Sequence, residues 1–164
     1  MTTATEKSVT QVYRVFIKAK PQAIWDAITQ PEWAEKYGYG CRVEYDLRPG
    51  GAYRALASQP MKEHGAPEVI IVGEVVESDP PRKLVQTWHP IWDPQEAAEA
   101  VTRLTWEITE EQGVCKLTVT HDVTGAPWVA AMVAGEMKDA GGGWSWVLSD
   151  LKTLLETGKA LGMC

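Results

Sequence analysis

The sequence predicts an α+β fold in which an antiparallel sheet packs against a long C-terminal helix. Between residues 41 and 123, six runs of alternating apolar and polar residues follow one another, separated by short turn sequences. The later stretch "WSWVLSDLKTLLETG" instead carries its apolar residues at helical spacing along one side. A helix with one apolar stripe needs one apolar surface, and the predicted sheet offers it.

Length and charge limit the classes of protein to which the chain can belong. Its 164 residues predict one domain, spanning 1–164, that is large enough for both a core and a pocket. A net charge of -6 argues against a nucleic-acid partner. The polar start lacks the apolar core of a signal peptide, and no apolar run is long enough to insert into a membrane. We therefore expect a soluble, cytoplasmic protein whose three cysteines are thiols.

The N-terminal part predicts one strand followed by two short helices. Residues 9–19, "VTQVYRVFIKA", alternate in polarity and are rich in β-branched residues, which is typical of a strand. Pro21 suits the first turn of a helix, and apolar residues at helical spacing follow it. Pro31 ends that helix and can begin a second one, in which Trp33 and Tyr37 lie one turn apart.

Six further strands are predicted after the two helices. Pro49 and Gly50 suit the central positions of a type II turn, so the first two of these strands form a hairpin. In the last two strands one face is apolar, which predicts a sheet with one dry face. The strands are "CRVEYDL", "AYRALAS", "EVIIVGEVVESD", "KLVQTWH", "VTRLTWEIT" and "CKLTVTHDV". The apolar face carries Leu104, Trp106, Ile108, Cys115, Leu117, Val119 and His121.

The C-terminal part predicts a short helix and then a long one. The apolar but glycine-broken stretch "GAPWVAAMVAGEMKDAGGG" predicts the short helix. In the long helix, Asp150 and Glu156 are expected on the solvent side, and Gly158 suits the C-cap. Its predicted stripe consists of Trp144, Val147, Leu148, Leu151, Leu154 and Leu155.

The glycine run before the long helix has two interpretations. A phosphate-binding loop needs a GxGxxG or GxxxxGK[ST] spacing after a parallel strand, and "GGGW" has neither. Glycine also lets backbones approach closely, because it lacks a Cβ atom. We therefore expect these glycines to bring the helix close to the sheet.

Six motifs in this order resemble the START-like (SRPBCC) superfamily, in the branch similar to the activator of heat-shock-protein-90 ATPase. The resemblance covers about Val12 to Gly158. It implies a helix-grip fold, in which a curved antiparallel sheet wraps around the long C-terminal helix and leaves a cavity between them. The motifs are "AIWDAITQPEWAEKY", "DLRPGGAYR", "GEVVESDPPRKLVQTW", "RLTWEI", "LTVTH" and "GGWSWVLSDLKTLLETG".

The resemblance implies several functions, because the superfamily includes carriers of lipids and small apolar molecules, aromatase/cyclases and single-domain bacterial proteins. Our first hypothesis is a protein that binds a small hydrophobic, aromatic or lipid-like molecule in the cavity. The alternatives are a cyclase or dehydratase-like enzyme that uses the same cavity, and a module associated with a chaperone. Whether the chain forms a homodimer is left open by the sequence, and we expect neither a cofactor nor a metal.

The candidate site residues are mainly aromatic, since the chain has eight Trp and five Tyr beside one Phe. His121 ends an apolar row, so it is the candidate acid/base; its alternative is a hydrogen-bonded core histidine. His89 and Asp93 are expected in a loop, where a third metal ligand is lacking, and Arg54 and Glu74 on the outer sheet face. The expected ligand-binding residues are Trp25, Trp33, Tyr37, Trp88, Trp106, His121, Trp128, Met132, Trp144 and Leu148.

Overall fold

Seven antiparallel strands form one sheet in the computed structural model, which describes residues 8–137 and 141–162. The order across the sheet is β1-β7-β6-β5-β4-β3-β2, so the first strand pairs with the last. One strand before the helices and six after them confirm the sequence-based prediction. The strands are β1 (Thr10–Ile17), β2 (Arg42–Tyr45), β3 (Ala52–Leu56), β4 (Val69–Asp79), β5 (Lys83–Pro90), β6 (Thr102–Glu111) and β7 (Val114–Asp122).

Six helices accompany this sheet in the described residues. Four of them agree with the sequence-based prediction: the two after β1, the short one after β7 and the long C-terminal one. Part of the stretch predicted for the short helix, residues 138–140, lies outside the described residues. The helices are α1 (Pro21–Thr29), α2 (Pro31–Ala34), α3 (Gln59–Glu63), α4 (Pro94–Ala97), α5 (Pro127–Val133) and α6 (Gly143–Thr157).

The short helices α3 and α4 are absent from the sequence-based prediction, although each begins with a recognisable cap. The Ser58 hydroxyl accepts a hydrogen bond from Met61 N at 3.4 Å, and Asp93 Oδ1 accepts one from Gln95 N at 2.8 Å. The expectation that His89 lies in a loop is wrong, because β5 extends through Pro90.

The core lies between the sheet and α6, on the predicted dry face. Leu104, Ile108, Leu117 and Val119 are all buried there, and so is His121. The pairing of β6 with β7 sets Leu104 opposite His121. Each fully buried leucine contributes about 1.5–3 kcal/mol relative to an exposed one, so this layer contributes substantially to stability.

The long helix α6 buries most of its predicted stripe, with one correction. Trp144, Leu148, Leu151 and Leu154 are buried as expected. Asp150, expected on the solvent side, is only 1% exposed. It lies three residues after Val147 and four before Leu154, which places it at the edge of the apolar stripe.

The buried carboxylate of Asp150 accepts hydrogen bonds from the backbone at both oxygens. Gly38 N donates to Oδ2 at 2.8 Å, and Leu161 N donates to Oδ1 at 2.7 Å. A buried carboxylate is stable only when hydrogen bonds replace its lost hydration. Asp150 therefore ties the segment after α2 and the C-terminal tail to the middle of α6.

The glycines before α6 allow close backbone approach, although to a different partner than expected. Gly143 has φ +65°, which favours glycine, and a Cβ atom there would lie 2.7 Å from the carbonyl carbon of Val133 and 2.6 Å from Gly135 N. The close neighbour is therefore the end of α5 and not the sheet. The Tyr39 hydroxyl accepts a hydrogen bond from Gly143 N at 3.1 Å and so satisfies one free donor of the helix start.

Two observations bear on the environment of the chain. Of the helices within residues 8–137 and 141–162, none has the length and apolarity needed to cross a membrane. Cys41 and Cys115 are free thiols, half-buried and buried respectively. The third cysteine, Cys164, lies outside the described residues.

Candidate functional site

A cavity of about 1050 Å³ lies between the first turns of α6 and the β2–β5 end of the sheet. The sheet supplies Tyr53 and Ala55 from β3 and Trp88 from β5. Met132 from α5 and Val147 from α6 face them from the helical side. A space of this volume is large enough for a drug-sized molecule, for which pockets of about 300–1,000 Å³ are usual.

Five of the ten expected ligand-binding residues line this cavity. They come from five separate parts of the chain, so only the tertiary fold brings them together. Trp144 contacts two of the others, since its ring centroid lies 5.3 Å from that of Trp106, edge to face, and 6.1 Å from that of Trp88. The five are Tyr37, Trp88, Trp106, Met132 and Trp144.

The other five expected residues lie outside the cavity lining. Trp25 and Leu148 are core residues of α1 and α6. Trp33 packs at the edge of the core, and the Lys36 ammonium lies 4.3 Å from its ring centroid. Trp128 is 39% exposed at the start of α5. His121, the fifth, is completely buried behind the cavity wall.

His121 is held by hydrogen bonds at both ring nitrogens. Trp144 Nε1 donates to His121 Nδ1 at 3.0 Å, and the Thr102 hydroxyl lies 2.8 Å from His121 Nε2. An indole N–H can only donate, so Nδ1 accepts and Nε2 carries the proton. The Thr102 hydroxyl then accepts from Nε2 and donates to the Trp88 carbonyl at 2.5 Å.

His121 is neutral at physiological pH. Burial lowers the pKa of His121 to about 4, and the weaker effect of Asp122 acts in the opposite direction. Every polar atom of the imidazole is used inside the protein. The arrangement matches the alternative of a hydrogen-bonded core histidine, with threonine and tryptophan as its partners, and it orients the Trp144 ring that forms part of the cavity wall.

Tyrosines outside the expected set also line the cavity. Tyr45 and Tyr53 pack in a tilted arrangement with ring centroids 4.7 Å apart, and the Tyr45 hydroxyl donates to Gln86 Oε1 at 2.6 Å. Tyr37, which belongs to the expected set, donates to the Ala27 carbonyl at 2.9 Å. Burial raises the pKa of all three hydroxyls well above their ordinary value of 10. They are therefore neutral, structurally anchored walls at physiological pH.

A carboxyl group is the most unusual component of the lining. Glu96 on α4 is 7% exposed and lines the cavity, and its side chain makes no hydrogen bond or ion pair with the residues that the structure describes. Burial, followed by the nearby charges of Asp93 and Glu99, raises the pKa of Glu96 to about 7. Asp93 and Pro94 mark the start of a helix, so the sequence indicates that Glu96 lies in α4. No feature of the sequence indicates that Glu96 is buried.

Other polar residues lie apart from the cavity lining. Arg54 and Glu44 form a cross-strand ion pair on the exposed face, and Glu74 is exposed on the adjacent strand. His64 is exposed at the end of α3, where its Nδ1 lies 2.8 Å from the Pro60 carbonyl. Within the described residues, no group of three His, Cys, Asp or Glu side chains is arranged to hold a metal ion.

An antiparallel sheet that grips a long helix, with an aromatic cavity between them, defines a helix-grip protein of the SRPBCC type. Residues 18–156 match the family model described as Activator of Hsp90 ATPase homolog 1-like protein. The chain therefore belongs to this family, which confirms the resemblance seen in the sequence. No curated protein sequence matches the chain.

Solved structures show the same fold at low sequence identity. Protein MLL2253 from Mesorhizobium loti is 21% identical with a TM-score of 0.68, and the match covers 90% of this chain and 97% of that one. The Aha1 dimer from Colwellia psychrerythraea is 17% identical with a TM-score of 0.65, covering 93% and 99%. PFC0360w, described as an HSP90 activator from Plasmodium falciparum, is 18% identical with a TM-score of 0.60, covering 90% and 96%.

Proposed function

We propose that this protein binds a small, largely apolar molecule in the cavity between its sheet and α6. The observation that carries the proposal is the cavity of about 1050 Å³, whose lining includes four tyrosines and four tryptophans. Transfer of apolar surface from water into such a space gains about 25 cal/mol per Å². The cavity reaches the surface beside Trp92, which is 40% exposed.

The proposed ligand contacts are the five expected residues that line the cavity, Tyr37, Trp88, Trp106, Met132 and Trp144. Binding is favoured over the enzymatic alternative by the position of His121. Both of its ring nitrogens are engaged, with Thr102 and Trp144, so it has no free atom with which to move a proton on a ligand.

The proposal is tested by filling the cavity from the sheet side. Ala55 is 2% exposed and lines the cavity from β3, so Ala55→Phe places a ring inside it. Ala52 lies on the same strand and is exposed, so Ala52→Phe is the matched control. The probe is the neutral dye N-phenyl-1-naphthylamine, followed by its fluorescence and by quenching of tryptophan emission.

We expect the wild type and Ala52→Phe to bind the dye with the same affinity and Ala55→Phe to bind it at least about 10-fold more weakly. Circular dichroism checks that both variants keep the fold. Equal binding by Ala55→Phe, or no binding by the wild type at millimolar dye, would contradict the proposal. Mass spectrometry of extracts from the purified protein then identifies a bound molecule.

A further inference from the structure

The charged groups of the cavity all have one sign. Asp93 and Glu96 line it, and no lysine, arginine or histidine does so among the described residues. A carboxylate ligand would therefore be buried next to like charges with no basic partner. A bound cation, in contrast, would meet a complementary potential, which the net charge of -6 reinforces over longer distances.

The three carboxylates of this region are used differently. Asp93 Oδ1 accepts a hydrogen bond from Gln95 N at 2.8 Å. The two oxygens of Glu99 accept from Trp128 N at 2.8 Å and from Val129 N at 2.9 Å, and so cap α5. Glu96 lies between them on α4 without any such partner, although it is only 7% exposed. The Glu96 carboxyl group therefore has no donor from the protein, and a ligand in the cavity that it lines can supply one.

The aromatic walls add a second contribution of the same sign. Faces of tyrosine and tryptophan rings attract cations within about 6 Å of the ring centroid, and this attraction strengthens when water is excluded. Four tyrosines and four tryptophans line the space that Glu96 also lines. A carboxylate together with aromatic rings is the combination that recognises ammonium groups on apolar molecules.

We infer that the cavity selects apolar molecules that carry a protonated amine, and that Glu96 binds the ammonium group. The inference rests on the proposed binding function and specifies the chemistry of its ligand. The aromatic rings bind the hydrocarbon part, and Glu96 accepts the N–H hydrogen bonds. Asp93 adds negative potential while it keeps its bond to the start of α4.

Three probes with the same aromatic frame separate the charge of the ligand from its hydrophobicity. They are 2-(1-naphthyl)ethylamine, 2-(1-naphthyl)ethanol and 1-naphthylacetate, measured by calorimetry at pH 8. We expect the amine to bind at least about 10-fold more tightly than the alcohol, and the carboxylate to bind most weakly. In Glu96→Gln the amine should lose at least about 10-fold in affinity while the alcohol stays within about 3-fold.

Glu74→Gln is the control, because it removes one negative charge from an exposed position on β4 that does not line the cavity. It should leave the affinities of all three probes unchanged. An amine that binds no better than the alcohol, or an amine preference that survives in Glu96→Gln, overturns the inference. If the neutral dye binds and the amine does not, binding in the cavity stands and the amine preference is wrong. If neither the dye nor any naphthyl probe binds, both proposals fail.

Discussion

Trp144 Nε1 donates a hydrogen bond to His121 Nδ1 at 3.0 Å, and this bond joins the first turn of α6 to the end of β7. Because the indole can only donate, the same bond determines which histidine nitrogen carries the proton. It also orients the Trp144 ring, which forms a wall of the cavity. One buried contact therefore links the position of the long helix, the protonation of the core histidine and the shape of the candidate site.

Removal of this donor should destabilise the protein even when an aromatic ring is kept. Trp144→Phe leaves His121 Nδ1 buried without a partner, which should cost about 1–3 kcal/mol in the free energy of unfolding. Trp144→Ala also loses the packing of a side chain that is 7% exposed and should cost about 3–5 kcal/mol. Urea denaturation measures both values. Trp92→Phe, at a 40% exposed position, should change stability by less than about 0.5 kcal/mol; a Trp144→Phe variant as stable as this control would contradict the role of the bond.

His121 should make the folded state sensitive to acid. Its pKa is about 4 in the folded protein and has an ordinary value of 6.5, so the unfolded chain takes up a proton first as the pH falls. Its contribution to stability is therefore complete above about pH 6.5 and is lost towards pH 4. The loss is about 3 kcal/mol at about 1.4 kcal/mol per pH unit. The stability difference between wild type and His121→Gln, from urea denaturation at several pH values, should shrink by this amount; a constant difference would show that His121 does not titrate this way.

Glu96 should have the opposite pH dependence. The folded protein keeps the Glu96 proton up to about pH 7, whereas the ordinary pKa is 4.5, so the folded state binds more protons between these values. Stability from this group is present below about pH 4.5 and is lost as the pH rises to 7. Glu96→Gln should therefore be more stable than the wild type at pH 8, by up to about 3 kcal/mol, and this advantage should disappear near pH 4.5.

The opposed titrations of Glu96 and His121 predict a wild-type stability that changes little between about pH 4.5 and 6.5. In Glu96→Gln only the His121 contribution remains, so a rise in stability with pH should become visible. Glu74→Gln, at an exposed site, should follow the wild-type profile. A Glu96→Gln variant that gains nothing at pH 8 would show that the carboxyl group is solvated there.

The sequence predicts most of the fold because its signals are local. Alternation in β6 and β7 and the helical spacing of α6 each reveal a buried face without knowledge of the partner. The five-residue helix α3 and the four-residue helix α4 are too short for a period, and only their caps at Ser58 and Asp93 mark them. The prediction for Asp150 is wrong because it follows the charge of the side chain, which favours the solvent side. The spacing from Val147 and Leu154 instead places Asp150 at the edge of the buried stripe.

The candidate site is less predictable because its residues meet only in the folded chain. The alternation of β7 places His121 correctly in the buried row, but its partners Thr102 and Trp144 are 19 and 23 residues away in sequence. The burial of Glu96 depends on how α4 packs against β5 and α5, which no local pattern contains. An aromatic-rich composition predicts the kind of cavity wall but does not tell which tryptophans form it.

Asp150 should be essential for the segments that it holds. Asp150→Ala removes the acceptors of Gly38 N and Leu161 N, and hydrogen bonds to charged groups contribute about 1.5–3 kcal/mol each, so a loss of about 3–5 kcal/mol is expected. Gly38 and Tyr39 line the cavity, so dye affinity should fall as well. The exposed neighbour Ser149→Ala should be within about 0.5 kcal/mol of wild type. Urea denaturation and dye titration decide this, and an Asp150→Ala variant with unchanged stability would be incompatible with these contacts.

The glycine run before α6 should be required for folding and not for anion binding. In Gly143→Val the new Cβ meets backbone atoms of Val133 and Gly135, and the positive φ adds strain, so the expected cost exceeds about 3 kcal/mol. Gly158 also has a positive φ of +84°, but a Cβ atom there would have nothing within 4 Å, so Gly158→Ala isolates the torsional cost of about 1–2 kcal/mol. Thermal melts with and without inorganic phosphate and nucleotides measure both variants. A Gly143→Val protein that melts like Gly158→Ala, or a wild type whose Tm rises with phosphate or nucleotide, would overturn the structural role of these glycines.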